Sequence, residues 1–221
     1  MKTLGFKNLI FFNSLILVIT ALIGCSGTYY RAMEKLGVHK RDILVDRVEE
    51  ARDAQSEAQE QFKSALDRFS SVIHVQETDL KIAYEKLNAE YEDSEKAAEY
   101  VSDRINKVES VANALFEEWE SELELYKNSE LRNLSSGQLK KTKSLYHKML
   151  ASMQRAEKSM DPVLLTFRDN VLFLKHNLNA QAIGSLRTEF AALKGEIDSL
   201  ISNMNDAIEK SNQFITDMRQ E

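Results

Sequence analysis

Most of the chain after residue 43 repeats its apolar positions at alternating spacings of four and three. That is the pattern of helices packed along a coiled-coil-like seam. The first stretch carries Leu44, Val48, Ala51, Gln55, Ala58, Phe62, Ala65, Phe69 and Val72, and only Gln55 breaks it. A second stretch runs from Leu80 through Leu87, Val101, Ile105, Val108 and Leu115 to Trp119, and in the same phase to Glu122 and Tyr126. The third runs from Leu139 through Tyr146, Met153, Met160, Val163, Phe167 and Leu174 to Leu178. The fourth runs from Ile183 through Leu193, Leu200 and Phe214 to Met218.

Three breaks separate these stretches. The β-branched residues Val72, Ile73 and Val75, between Ser70-Ser71 and Thr78, mark the first. Asn128 to Gly137 marks the second, where Ser135 and Gln138 have the spacing of a capping box. Asn177 to Asn179 marks the third. Short connections make neighbours antiparallel. The pattern therefore predicts an all-α fold: an elongated up-down-up-down bundle of about four long helices, the second longest.

Asp161-Pro162 offers two alternatives within the third stretch. Asp161 could cap a new helix with Pro162 at its first position. The seam nevertheless continues from Met160 through Val163 to Phe167, which favours one helix kinked or broken near Pro162. Alanines crowd the first seam at Ala51, Ala54, Ala58 and Ala65, and small side chains there predict close helix packing.

The beginning of the chain follows another rule. Lys2 and Lys7 precede an almost wholly apolar run, Leu9 to Ile23, which ends in Leu22-Ile23-Gly24-Cys25. A basic start, a short apolar segment and a small residue before the cut are the signature of a secretory signal. The last four residues resemble the lipobox of bacterial lipoproteins. That resemblance implies that residues 1–24 are a signal peptide, that the Cys25 thiol receives a diacylglycerol, and that cleavage exposes an amine which is acylated in turn. Several acyl chains on one residue hold it stably in a bilayer. Ser26 follows the cysteine where Asp would favour retention at the inner membrane. The expected location is thus the periplasmic side of the outer membrane. Residues 25–34 then form a tether and residues 35–221 the helical bundle.

Composition agrees with this organisation. One Pro and seven Gly in 221 residues leave little material for the tight turns of a β-sandwich or barrel. Cys25 is the only cysteine, which excludes an internal disulfide and a Cys-rich zinc site. The net charge of −6 becomes −8 once Lys2 and Lys7 are removed, and no basic stretch suggests nucleic acid as a partner. An acidic body also suits poorly a rod that lies on and shapes a bilayer, the alternative role for such a bundle.

Several segments carry a family resemblance. They are Tyr29-Tyr30, Ala32 to Lys35, Gly37 to Val48, Met160 to Leu164 and Val171 to Ile183. They resemble a family of bacterial envelope proteins of unknown function, DUF2959, over essentially the whole mature chain. The resemblance implies a signal-bearing helical protein and carries over no activity and no catalytic residue.

The residues themselves offer little chemistry. None of His39, His74, His147 and His176 has a second His at the helical ligand spacing of a metal site, although Asp42 lies three residues after His39. Glu117, Glu118, Glu120, Glu122 and Glu124 surround Trp119 as a charged face usually does on a long helix. Neither a catalytic centre nor a cofactor is expected. One stretch has more apolar residues than a single stripe needs: Pro162 to Leu178, with Leu164, Leu165, Leu172 and Phe173 beside the seam. A helix apolar around much of its girth is buried on several sides or meets a partner. Alternation of the helices puts this stretch at the end away from the anchor. The expected role is a non-catalytic structural or adaptor protein. It would be held in the bilayer by acylated Cys25 and would bind an envelope protein through Leu164, Leu165, Leu172 and Phe173. A homo-oligomer is a further partner to expect.

Overall fold

A computed structural model describes Met33, residues 37–74 and residues 80–220. The segment expected to be a signal peptide, Cys25, most of the expected tether, and Val75 and Thr78 of the expected first turn lie outside these residues. Five helices follow in order: α1 (Lys40–Val72), α2 (Leu80–Leu123), α3 (Ser129–Lys158), α4 (Met160–His176) and α5 (Ala180–Gln220). Among the described residues there is no strand. The longest helix, α2, has 44 residues, or about 66 Å at 1.5 Å per residue.

The helices form one antiparallel four-membered rod, with α3 and α4 together as its third member. α1 packs on α2 and α5, and the α3–α4 pair packs on the same two helices from the opposite side. Polar contacts fix the register. At one end Lys40 Nζ lies 3.0 Å from Glu118 Oε1, and Arg41 Nη2 donates to the Met218 carbonyl at 2.6 Å. At the other end Arg187 Nε donates to the Ile73 carbonyl at 3.0 Å. The start of α1, the α2–α3 hairpin and the end of α5 therefore share one end, called proximal below. The α4–α5 turn and the end of α1 share the distal end.

The seams expected from the sequence form the core. Every position from Leu44 to Val72 in the first seam is buried, Gln55 included. Ala51, Ala54, Ala58 and Ala65 are all nearly inaccessible, as close packing of α1 requires. In the distal half Phe69, Phe167 and Phe190 pack together, with Tyr91 edge-on to Phe167 at 5.9 Å between centroids. Phe116, Tyr146 and Phe214 make a similar cluster nearer the proximal end.

The third member is interrupted at a single residue, Ser159. Pro162 has no N–H to offer the carbonyl four residues earlier, so the helical ladder fails here without loss of direction. Ser159 satisfies local carbonyls instead: its N–H donates to Arg155 O and Ala156 O, and its hydroxyl to Ala156 O. Met160, Val163 and Phe167 stay buried across the break. Asp161 is in the first turn of α4 and is not its cap.

Two expectations fail at the second turn. The connection is residues 124–128, not Asn128 to Gly137, because Asn128 is the N-cap: its Oδ1 accepts from Glu130 N at 2.9 Å and Leu131 N at 3.2 Å. Ser135 and Gln138 sit inside α3 and form no capping box; Ser135 Oγ accepts from Trp119 Nε1 at 2.8 Å. The second seam also ends at Trp119. Glu122 and Tyr126 are exposed because α1 and α5 have already stopped at this level.

Candidate functional site

The stretch singled out by composition, Pro162 to Leu178, is α4 and the turn after it. Its seam residues Val163, Phe167, Val171 and Leu174 face the core. The remaining apolar residues divide by their position around the helix. Leu164 is half-buried against the core on the α2 side. It lines a groove of about 640 Å³ between α2 and the α3–α4 junction, together with Glu99, Asp103 and Lys158. Leu165 and Leu172 are seven residues apart, one superposed pair of turns, and stand on the outer face at 52% and 47% exposure. Phe173 is 40% exposed and borders a second cavity, about 350 Å³, with Ser185, Leu186 and Glu189 of α5. Three of the four expected docking residues are thus presented to solvent, and Leu164 is the one drawn into the bundle. Ile82 and Leu178 add exposed apolar surface toward the same end.

Sequence reasoning missed a second apolar surface. At the proximal end Leu125, Tyr126, Leu131 and Leu134 are all at least 41% exposed, with Leu125 at 78%. Leu131 and Leu134 fall in residues 128–137, which the sequence pattern reads as a turn, and Tyr126 keeps the phase of the second seam, which reads as buried. The available signal was Asn128, a strong N-cap residue followed by Glu130 in the first turn.

Several titratable groups are engaged in structural contacts. His74 Nδ1 lies 2.7 Å from Ser70 O, and His147 packs at 5.3 Å against the Tyr146 ring. His39 precedes α1 without a side-chain capping bond. In the glutamate cluster, Glu118 pairs with Lys40 and Glu120 with Lys143 at 2.6 Å. Burial, and then the charge of Glu109, hold the Tyr146 hydroxyl in its protonated form well above the ordinary range. Burial likewise raises Tyr91, aided by its hydrogen bond to Glu95 at 2.9 Å. Lys107 lowers the exposed Asp103 carboxyl by hydrogen bonding to it. Among the described residues, no group of three or more His, Cys, Asp or Glu is placed to hold a metal ion, and no helix is long and apolar enough to cross a membrane.

No curated protein and no solved structure matches the chain. A family model does match, over residues 29–218, which takes in α1 to α4 and α5 as far as Met218. The chain belongs to the family described as protein of unknown function DUF2959.

Proposed function

We propose that this protein is an envelope lipoprotein with no catalytic role: a helical rod held in the outer membrane by acylated Cys25, which docks an envelope protein on the outer face of α4. The lipobox-like Leu22-Ile23-Gly24-Cys25 supports the anchor. One observation carries the docking reading. Leu165 and Leu172 stand on the face of α4 opposite its seam, with Phe173 beside them, where burial in the bundle gives no reason for large apolar side chains. The antiparallel order puts that face in the distal half, beyond the reach of a bilayer met by the proximal end.

Two measurements test this. Incorporation of an alkyne-bearing fatty acid into the protein, lost in Cys25→Ala, reports the anchor. Photoreactive residues placed at Leu165 and Phe173 in intact cells report the docking face, with Glu118 as the control position. A discrete adduct with one envelope protein at the first two positions, absent at Glu118, is the expected result. Adducts only within the chain at Leu165 and Phe173 would remove the docking reading.

A further inference from the structure

The proximal end is not flush. α1 begins opposite Glu118, and α5 ends beside Arg41. α2 continues past that level to Leu123, and the first buried residue of α3 is Leu139, ten positions into the helix. The α2–α3 hairpin therefore overhangs the other two helices by about 10–15 Å. Trp119 and Ser135 tie its two arms together through their 2.8 Å hydrogen bond. Extending the α3 seam backward from Leu139 passes Ser135 and then Arg132; Leu131 is the residue beside that line and is 51% exposed, because α1 and α5 do not reach this level. Leu134 is one turn away, and Leu125 and Tyr126 form the loop.

Resting on the lipid-anchor reading above, we infer that this overhanging tip, Leu125, Tyr126, Leu131 and Leu134, dips into the bilayer interface beside the acylated Cys25 and sets the rod upright on the membrane. Two observations favour lipid over a second copy of the chain. Cys25 and Lys40 are separated by residues 26–39, which even fully extended span at most about 50 Å. The proximal end is thus confined near any bilayer that holds Cys25, and the tip is the part that projects from that end. Its charges also balance locally, Glu124 and Glu130 against Lys127 and Arg132, although the whole chain carries −6. A leucine and tyrosine surface flanked by Lys and Arg suits the headgroup boundary, where the apolar ends enter and the polar groups stay wet.

The test uses the full acylated protein in vesicles of phosphatidylethanolamine and phosphatidylglycerol that contain nitroxide-labelled lipid. An environment-sensitive fluorophore is attached at Leu134→Cys or, as control, at Leu165→Cys. Acylated Cys25 is a thioether and does not take the label. Position 134 should be quenched at least about twofold and position 165 scarcely at all, as shallow interfacial insertion of one end requires. Adding Leu125→Asn and Leu131→Asn, both at exposed positions, should abolish the quenching while circular dichroism stays helical. No quenching at 134 in protein shown by fatty-acid labelling to be acylated overturns the inference and leaves the anchor standing. Quenching at both positions means a rod lying flat and also overturns it. So does crosslinking of position 134 to a second copy in place of quenching. Absence of acylation overturns the anchor itself, and this inference with it.

Discussion

Replacing Gln55 by Met should make the protein more stable. Gln55 is fully buried in the α1 seam, the one polar residue in an otherwise apolar run. Its Nε2 reaches across the rod to the Met153 carbonyl at 3.4 Å, a long contact that returns little energy. Its Oε1 has no hydrogen-bond partner among the described residues. A buried unsatisfied acceptor costs about 1–3 kcal/mol, and a hydrogen bond of good geometry returns about 0.5–1.5. Met has nearly the volume of Gln and the flexibility to fill the same space, so the change opens no cavity. The Met153 carbonyl lies in mid-helix and keeps its own ladder bond. Gln55→Met should then gain about 1–2 kcal/mol, or about 2–4 °C in Tm for each kcal/mol in a chain of this size. Urea titration followed by circular dichroism reads this as a raised midpoint with an unchanged slope. Gln59 supplies the contrast. Its Nε2 donates at 2.9 Å to Asn205 Oδ1 and at 3.3 Å to the Ile201 carbonyl, so Gln59→Met should gain nothing and lose up to about 1 kcal/mol. If Gln55→Met lowers the midpoint as Gln59→Met does, the Gln55 amide is satisfied and the reasoning fails.

Other outcomes follow from the same geometry. Phe167→Ala removes a fully buried ring that meets Phe69 and Tyr91 edge-on, and should cost about 3–5 kcal/mol. A double-mutant cycle with Phe69→Leu should show coupling of about 0.5–1.5 kcal/mol between the rings. Asn128→Ala should cost about 1 kcal/mol and speed amide exchange at Glu130 and Leu131, the two N–H groups it caps. Tyr146 gives a pH dependence of defined sign. Its folded-state pKa lies above the unfolded one, so its contribution is complete below about pH 10 and is lost as pH rises through the folded value. Unfolding midpoints measured from about two pH units below the tyrosine reference upward should fall less steeply in Tyr146→Phe than in the unchanged protein.

The alternation of four and three made the interior legible because it reports which side of a helix meets its neighbours. It placed Leu44 to Val72, Leu139 to Leu174 and Ile183 to Met218 on the buried side, with Phe190 half-exposed, but Leu178, the last position of the third stretch, is exposed because α4 ends at His176. What the phase of a helix does not contain is where its neighbours stop. Glu122 and Tyr126 keep the phase of the second seam and are exposed, since α1 and α5 end before them. The same overhang explains the misplaced turn. Residues 129–138 lack a covering helix, so polar side chains are tolerated all round and the segment resembles a loop in composition. The surplus of apolar residues in α4 was legible, but their division was not. Leu164 and Leu165 are adjacent in sequence and about 100° apart around the axis, and only the direction of α2 decides that Leu164 is the covered one.

Exposed apolar surface is concentrated by how the flanks are built. Charged pairs close the long sides: Arg104 with Glu50, Arg219 with Glu49, and Arg155 with Asp206. Tyr100, an exposed aromatic midway along α2, lies under the Arg104 guanidinium at 4.4 Å. Among the described residues, the other large exposed apolar side chains fall toward the two ends: Leu125, Tyr126, Leu131 and Leu134 at the proximal tip; Ile82, Leu165, Leu172, Phe173 and Leu178 in the distal part. An antiparallel bundle has little net dipole to orient it, since neighbouring helix dipoles oppose one another. Any polarity of the rod must therefore come from its ends. A rod that bent membranes along its length would need an apolar or basic face that runs the length of a flank, whereas the apolar face of α4 is confined to the distal part and the middle of the rod carries paired charges. Among the described residues the large exposed apolar side chains therefore form two separate surfaces, one at the proximal tip and one in the distal part, and a bridging role would use both.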